Sequence, residues 1–397
     1  MKVIHVAESF AAGVLHFVAQ ITRVMPDHEH VVIHGKRPDT PENYASLFPS
    51  NVVLLPWQEL ARNISPWRDA AALLRLMRLL HQQDGDIIHL HSSKAGFLGR
   101  VGAMLLGQSK RVIYTPHGVA FLRQDVASRQ QTLFAWLEQL ANKCGGKVIA
   151  CSASEAACLR SHGINADYIN NGVTCQPESE LKTPKNDGKS IRVTLVGRIS
   201  SQKNPSWYNA IASAFVDQPH IRFLWVGDGE LRHQLTAPNI ECSGWVSPAQ
   251  VTAHLQATDI YLSTSAWEGL PLSALQAMCH RLPLVLSKCT GHSDIVHTGQ
   301  NGFLFQNTDE AVRLIQLLVD NPAARAQLGQ ASRELLEREF NVQQMADGYR
   351  RLYLQAGRNP QSVACEASAF TEFKSPTPKH KAVPSAQCFI NPGFRPC

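Results

Sequence analysis

The chain lacks several features, and each absence removes a class of function. Among its 397 residues no run approaches the roughly 18 apolar positions that a membrane-spanning helix needs. The first residues, Met-Lys-Val-Ile-His-Val-Ala-Glu, are broken by His5 and Glu8 and do not read as a signal peptide. The expectation is a cytoplasmic protein, at most resting on the cytoplasmic face of the inner membrane. No basic stretch is interleaved with aromatic residues and the net charge is a mild +6, so nucleic acid is not an expected partner. That charge does suit anionic ligands or a membrane surface. No G-x-G-x-x-G follows the first apolar strand, which argues against a nicotinamide dehydrogenase. Neither a glycine-rich Lys-Ser/Thr loop nor a carboxylate cluster is present to hold Mg²⁺, so no metal and no cofactor are implied.

The ten cysteines contain no C-x-x-C pair. Cys144, Cys151 and Cys158 recur every seven residues, but Gly145-Gly146 interrupts any helix that would align them. They read as buried thiols of a reducing compartment, not as a disulfide or zinc framework. Of the seventeen histidines, His28-x-His30 and His89-x-His91 would each point to one face of a strand. No third ligand is evident, so a metal site is not expected.

What is present is a repeated rhythm of short apolar strands and amphipathic helices. Hydrophobic residues make up 44% and charged residues 18%, a composition with ample core for two domains. Residues 1–173 read as the first. Strands over 3–7, 30–34, 51–55, 86–91, 111–115, 147–150 and 166–169 alternate with helices, which predicts a doubly wound parallel sheet. Within it Ser65 and Pro66 open a helix with an expected apolar face of Leu73, Leu74, Met77 and Leu80. Arg68, Arg75 and Arg78 share the other side, either as a solvated face or against anionic headgroups. A later helix carries Leu133, Trp136, Leu137 and Leu140 at helical spacing. Residues 174–190 have almost no apolar content and form the expected linker. Residues 191–340 repeat the strand–helix rhythm, including a helix after Gly227-Asp-Gly-Glu230. A helix over 341–357 follows and is expected to return to the first domain. The Pro/Ser/Ala-rich stretch 358–397 reads as a disordered tail.

Three turns carry the chemistry. The first is Ser263-Thr-Ser-Ala-Trp-Glu-Gly-Leu-Pro-Leu, which joins the apolar strand 259–262 to a helix over 272–278. In open parallel sheets ligands bind beyond the carboxyl ends of the strands, where helix N-termini offer free N–H groups. Glu268 there repels phosphate but is a strong acceptor for sugar hydroxyls. The N–H groups of Leu270 and Leu272 suit phosphate, and together these point to a nucleotide sugar. The second turn is Gly197-Arg198 through Lys203, which puts two cations on one strand-to-helix turn. They suit a diphosphate, one as a bidentate guanidinium and one as a flexible ammonium, or they form an exposed basic loop. The third is Pro116-His117-Gly118, which holds a histidine on a stiff turn at a strand's end. Gly13 marks a further strand-to-helix transition, where a missing side chain lets a ligand approach the backbone.

Taken together, Gly197-Arg198…Lys203, Gly227-Asp-Gly-Glu230, Glu268-Gly-Leu-Pro-Leu-Ser-Ala-Leu-Gln276 and Asn301-Gly-Phe-Leu-Phe305 resemble the retaining GT-B glycosyltransferases of family 4. The resemblance spans roughly residues 1–356 and is strongest from 191 to 306. In the first domain the Gly13 turn, His89-Leu-His-Ser-Ser-Lys-Ala-Gly96 and Tyr114-Thr-Pro-His-Gly118 look like the bacterial surface-polysaccharide branch. The resemblance implies two Rossmann-like domains facing a cleft, a nucleotide-sugar donor on the second, and a glycan or polyprenyl-diphosphate-linked acceptor on the first. It implies Arg198 and Lys203 on the diphosphate with Gly13 nearby, Glu268 on the donor sugar, and His117 near sugar and phosphate. Ser265, Gly269, Leu270 and Leu272 would line the donor pocket, and His91, Ser92 and Lys94 would lie on the acceptor side. It also implies transfer with retained anomeric configuration, the leaving diphosphate taking the acceptor's proton. Two positions depart from the pattern. Gln276 stands where the family has a ribose-binding Glu, and Ala11-Ala12 stand where a double glycine precedes Gly13. Those departures keep a non-catalytic nucleotide-sugar-binding subunit as an alternative, with a nucleotide-sugar epimerase as another.

Overall fold

The structure is a computed structural model that describes residues 1–37, 39–58, 65–176 and 190–357. Most of the expected linker and the whole of the expected tail lie outside the described residues. The first sheet holds β1 (Lys2–Ala7), β2 (Glu29–His34), β3 (Val53–Pro56), β4 (Ile87–His91), β5 (Val112–Thr115), β6 (Lys147–Ala150) and β7 (Ala166–Tyr168). All seven are parallel, in the order β3-β2-β1-β4-β5-β6-β7. Its helices are α1 (Ala12–Val24), α2 (Pro66–Gln83), α3 (Ser93–Leu105), α4 (Ser128–Asn142) and α5 (Ala153–Ser161).

The second sheet repeats the plan with β8 (Ile191–Val196), β9 (Ile221–Val226), β10 (Ile240–Cys242), β11 (Ile260–Ser263), β12 (Leu284–Ser287) and β13 (Gly302–Phe305). These too are parallel, ordered β10-β9-β8-β11-β12-β13. The helices are α6 (Pro205–Ser213), α7 (Pro248–Gln256), α8 (Leu272–Cys279), the single turn α9 (His292–Ile295), α10 (Thr308–Asp320) and α11 (Pro322–Glu339). Burial on both faces of a parallel sheet explains the apolar runs Val31–Ile33 of β2 and Phe223–Val226 of β9. In each sheet the strand order reverses beside its first strand, between β1 and β4 and between β8 and β11. At such a switch point the connecting helices leave on opposite faces and open a crevice at the strands' carboxyl ends.

The last helix, α12 (Val342–Ala356), buries Met345, Ala346, Tyr349 and Tyr353 in the same cluster as Val3, Leu15, Phe17 and Val18 of the first domain. The Tyr353 hydroxyl lies 2.7 Å from His89 Nδ1, and Val173 and Asn341 form a backbone bridge. The chain therefore crosses between the domains twice, and α12 closes the first domain's core.

Three local expectations are corrected, and on one further helix the structure decides a face that the spacing left open. The α4 stripe of Leu133, Trp136 and Leu140 faces outward, 42, 54 and 38% exposed. Its inner face carries Glu138, which takes hydrogen bonds from Arg100 Nη2 (2.6 Å) and the Tyr114 hydroxyl (2.8 Å), both buried. Periodicity reports that two faces differ, not which one is inside. On α2 the buried residues are Ala72, Leu76, Leu79 and Leu80, while Leu74 is exposed. Nor does the Ser65 side chain cap α2; instead Asp69 reaches back to accept from the Ser65 N–H at 3.0 Å. After Gly227-Asp-Gly-Glu230 there is only a 3₁₀ turn, Arg232–Gln234, because Pro238 leaves too few residues for a stable helical nucleus.

The cysteine expectation is corrected as well. Cys175 and Cys279 are joined by a disulfide across 104 residues of sequence, with Cα atoms 5.3 Å apart. Spacing in sequence cannot reveal a pair that the tertiary fold creates. Cys144, Cys151, Cys158, Cys242 and Cys289 are free thiols.

Candidate functional site

Both switch points open toward each other, and the expected residues gather where they meet. β8 ends in Val196, and the turn that follows carries Gly197, Arg198, Gln202 and Lys203. β11 ends in Ser263, and the turn to α8 carries Ser265 and Glu268. Lys203 Nζ lies 2.7 Å from Glu268 Oε1, while Gln202 Nε2 donates to Glu268 Oε2 at 3.2 Å and to the Trp267 carbonyl at 3.1 Å. Burial by itself lowers the Lys203 pKa, but the Glu268 carboxylate more than offsets it, so the ammonium is held charged.

Gly269 explains how the domains meet here. A Cβ on it would stand 2.7 Å from both the Gly118 nitrogen and Cys151 Sγ, so only glycine lets the His117-Gly118 turn lie this close. Ser152 Oγ donates to the Gly269 carbonyl (2.9 Å) and Asn171 Nδ2 to the Leu270 carbonyl (3.0 Å). From the other side Ser154 Oγ accepts from the Gly291 N–H (2.9 Å), and Ser154 also bonds Asp294. Among the described residues no protein acceptor takes the N–H of Leu270 or Leu272, at the start of α8. A helix start is where free N–H groups of this kind can receive an anion.

Arg198 is not free. Its Nη1 lies 2.5 Å from Asp39 Oδ2, in the loop after β2. That loop is fastened to the end of β1 by Arg37, whose Nη2 reaches both carboxylate oxygens of Glu8 (2.7 and 2.9 Å), and by Thr40 Oγ1, which donates to the Phe10 carbonyl (2.8 Å). Both cations of the basic turn thus hold carboxylates, Asp39 on Arg198 and Glu268 on Lys203. A diphosphate arriving at Arg198 has to displace Asp39. Asp39→Asn should therefore lower the concentration of nucleoside diphosphate needed for half-saturation by about fivefold, the worth of one partly exposed ion pair of roughly 1 kcal/mol. Titration calorimetry reads this, and unchanged or weaker binding would show that Asp39 does not compete.

His117 has φ 55°, in the left-handed region, and its ring packs against Phe17 with centroids 4.5 Å apart. Its Nε2 lies 3.0 Å from His91 Nδ1, and burial pushes its pKa down to about 3. Ala12 also takes a left-handed φ, 45°, at the position where the sequence lacks the expected glycine. Gly13 itself is exposed, with open space where a Cβ would be. Ser265 is buried and bonds Ser263 Oγ at 3.0 Å; with Thr264, Asn204, Trp207 and Lys288 it also lines a cavity of about 230 Å³.

The other expected residues are less engaged. Gln276 is exposed on α8, and its side chain makes no hydrogen bond among the described residues. Lys94 is held by Asp69 at 2.6 Å, and the Ser92 hydroxyl is buried without a partner among the described residues. His91 lies inside the core rather than on an accessible face. Its neighbour His89 does gain the third histidine that the sequence did not reveal. His5, His89 and His91 each bring one ring nitrogen within 4.8 Å of the others, because β1 and β4 are adjacent in the sheet.

Sequence reasoning missed Asp39, Gln202, Cys289 and His292. Gln202 was within reach of inference, one residue before Lys203 on the same turn. His292 donates from Nδ1 to the Ser287 carbonyl at 2.7 Å, and its buried Nε2 has no partner among the described residues. Burial lowers its pKa to about 4, with Glu268 opposing that shift. Cys289 is pushed up to about 12 by burial and by Glu268, so it stays a thiol.

Two doubly wound domains that join a cationic turn, its paired carboxylate and a histidine across their boundary define a GT-B glycosyltransferase. The description "Glycosyltransferase Family 4" matches residues 11–176 and "Glycosyl transferases group 1" matches residues 190–321. The chain belongs to this family, and it is an enzyme of glycosyl transfer. A UDP-Gal:α-D-GlcNAc-diphosphoundecaprenol α-1,3-galactosyltransferase of Escherichia coli is 29% identical over 324 residues, covering 74% of this chain and 82% of that one. Sucrose-phosphate synthase of Thermosynechococcus elongatus superposes with a TM-score of 0.74 at 18% identity, over 92% of this chain and 100% of the other. HepE of Anabaena in complex with UDP and glucose gives 0.71 at 18% identity, over 93% and 100%. At such identities the two structures show the shared fold.

Proposed function

We propose that this protein transfers a sugar, with retention, from a nucleoside diphosphate donor to a lipid-linked glycan during bacterial surface-polysaccharide synthesis. The observation that carries the reading is the Lys203–Glu268 pair set beside Arg198 at the second switch point and against the His117-Gly118 turn of the first. The diphosphate replaces Asp39 on Arg198 and takes the free N–H groups of Leu270 and Leu272. Glu268 accepts from hydroxyls of the donor sugar, and Lys203 follows the negative charge that grows on the leaving phosphate oxygen. The bond from the anomeric carbon to that oxygen breaks, and the acceptor oxygen bonds to the carbon on the same face. The acceptor's hydroxyl proton passes to the leaving phosphate. Among the described residues the side chains hydrogen-bonded to Glu268 are Gln202 and Lys203, with no second carboxylate to serve as a nucleophile, which favours this front-face route over a double displacement. Two cations flanking the diphosphate position supply the charge that a divalent metal would otherwise bring.

The acceptor reading rests on the E. coli relative, whose printed acceptor is a GlcNAc-diphosphoundecaprenol. A surface of the first domain supports it. Trp67 is 89% exposed, and Leu74, Leu105, Leu133 and Trp136 also face out from α2, α3 and α4. Arg68, Arg75 and Arg78 are exposed on α2 beside them, the mixture that docks on anionic lipid. No helix among the described residues is long and apolar enough to cross a membrane, so this face would rest on it.

The test is a mass-spectrometric screen of UDP-, GDP- and dTDP-sugars with GlcNAc-diphosphoundecaprenol in anionic vesicles. One donor should give transfer with retained configuration. Replacing Trp67 and Trp136 together by Ser should cut transfer to the vesicle-bound acceptor about tenfold and leave transfer to a short-chain soluble analogue unchanged. Donor binding with neither transfer nor hydrolysis would overturn the reading in favour of a non-catalytic subunit. Product formed without any acceptor would favour an epimerase.

A further inference from the structure

The most unusual feature of the first domain is a row of histidines that plays no part in the site described above except at its last member. His30 on β2, His5 on β1, His91 on β4 and His117 after β5 come from adjacent strands and are hydrogen-bonded in series. His30 Nδ1 lies 3.2 Å from His5 Nε2, His5 Nδ1 lies 3.1 Å from His91 Nε2, and His91 Nδ1 lies 3.0 Å from His117 Nε2. Ring centroids are 5.3–5.4 Å apart with interplanar angles of 20–29°, so the rings lie end to end. The far end is closed by the Met25 carbonyl, 2.9 Å from His30 Nε2.

A carbonyl can only accept, and that decides the direction of every bond in the row. His30 Nε2 must carry hydrogen, so in a neutral ring Nδ1 accepts from His5 Nε2. The same step repeats at His5 and at His91. At the near end His117 donates from Nε2, and its Nδ1 is left as a bare lone pair. Among the described residues no protein group bonds that Nδ1, and it is not closed off from solvent. Burial lowers the pKa of all four rings, which agrees with a neutral row. His89 stands aside, with Nδ1 on the Tyr353 hydroxyl and Nε2 on the Thr115 hydroxyl at 3.0 Å.

We propose that His30, His5 and His91 are positioning residues that fix His117 as the Nε2–H tautomer, presenting Nδ1 to the bound donor as an acceptor only. This rests on the placement of His117 in the donor site proposed above. His117 then accepts a hydrogen bond from a donor-sugar hydroxyl and does not act as the acid that protonates the leaving phosphate. Nor is the row a proton wire to solvent, since it ends on a carbonyl that cannot carry the proton further. A divalent ion on His5, His89 and His91 is the competing use of the same nitrogens. It would break two of the hydrogen bonds and place two positive charges in a fully buried cluster whose bonded groups include no carboxylate.

The deciding experiment is long-range ¹H–¹⁵N spectroscopy of the full-length protein labelled at histidine, with His117 assigned by its loss in His117→Gln. The wild type should show His117 with a protonated Nε2 and a bare Nδ1 as one population. In His30→Leu, far from any substrate, the row loses its anchor and His117 should become a mixture of tautomers. Donor affinity should then fall at least about twofold, in proportion to the competent fraction. His30→Gln supplies one donor and one acceptor in place of the imidazole and should restore both signals. His5→Leu and His5→Gln repeat the comparison should His30→Leu fail to fold. A His117 protonated on Nδ1 in the wild type, or one that keeps a single tautomer in both Leu variants, would overturn the proposal. So would stoichiometric zinc in the purified protein. These spectra need no turnover, so failure of the transferase assay and failure of the tautomer lock are read separately.

Discussion

Glu268→Gln is expected to lower kcat about 100- to 1,000-fold, the cost of removing one preorganised charged partner from a transfer site. Gln keeps the shape but not the charge. Its amide accepts weakly from a sugar hydroxyl, and it leaves the Lys203 ammonium in a buried place without its counter-charge. Breaking such a pair from one side costs about 3–5 kcal/mol of stability, and chemical denaturation should detect that loss. The two effects are separable. In Glu268→Gln with Lys203→Met the orphaned charge is gone, so stability should largely return while activity does not recover. A Glu268→Gln enzyme of normal activity would remove Glu268 from the site. A double variant as unstable as the single one would show that the pair is not what holds this turn.

The largest effect on stability is expected from acid. His5, His89 and His91 are fully buried and held neutral well below the ordinary histidine value, and burial lowers His34 and His292 to about 4. In the unfolded chain each titrates near 6.5. Between those limits the unfolded chain binds more protons, so stability is complete above about pH 6.5 and declines as the pH falls toward about 4. Each such histidine adds a slope approaching about 1.4 kcal/mol per pH unit within that window. Several together remove on the order of 10 kcal/mol by about pH 5, comparable to the whole stability of a domain. Circular dichroism melts should therefore show a steep fall in Tm from pH 7 to pH 5, with unfolding at 25 °C near pH 5. A Tm that is flat over that range would mean that these rings are not neutral in the fold.

Much of the molecule was legible from residue order alone, because its causes are local. The strand–helix rhythm and the parallel doubly wound sheet of the first domain follow from apolar runs and the turns that punctuate them. The Glu268 turn and the Arg198–Lys203 turn were visible for the same reason, since each is one continuous segment at a strand's end.

What the sequence could not decide is which segments become neighbours. The exposed side of α4 depended on Arg100, thirty-eight residues before Glu138, filling the space beneath it. The Cys175–Cys279 disulfide, the Asp39–Arg198 pair and the His30–His5–His91–His117 row each join residues from separate elements. Periodicity describes one element at a time, whereas a hydrogen bond or an ion pair is decided by a separation of a few ångströms between two. Residue order thus determined the two sheets and the chemistry available at their ends. Only the tertiary structure decided that Arg198 already holds a carboxylate and that His117 is the outermost of four histidines, because those facts belong to the contact between domains and to the order of strands in the sheet.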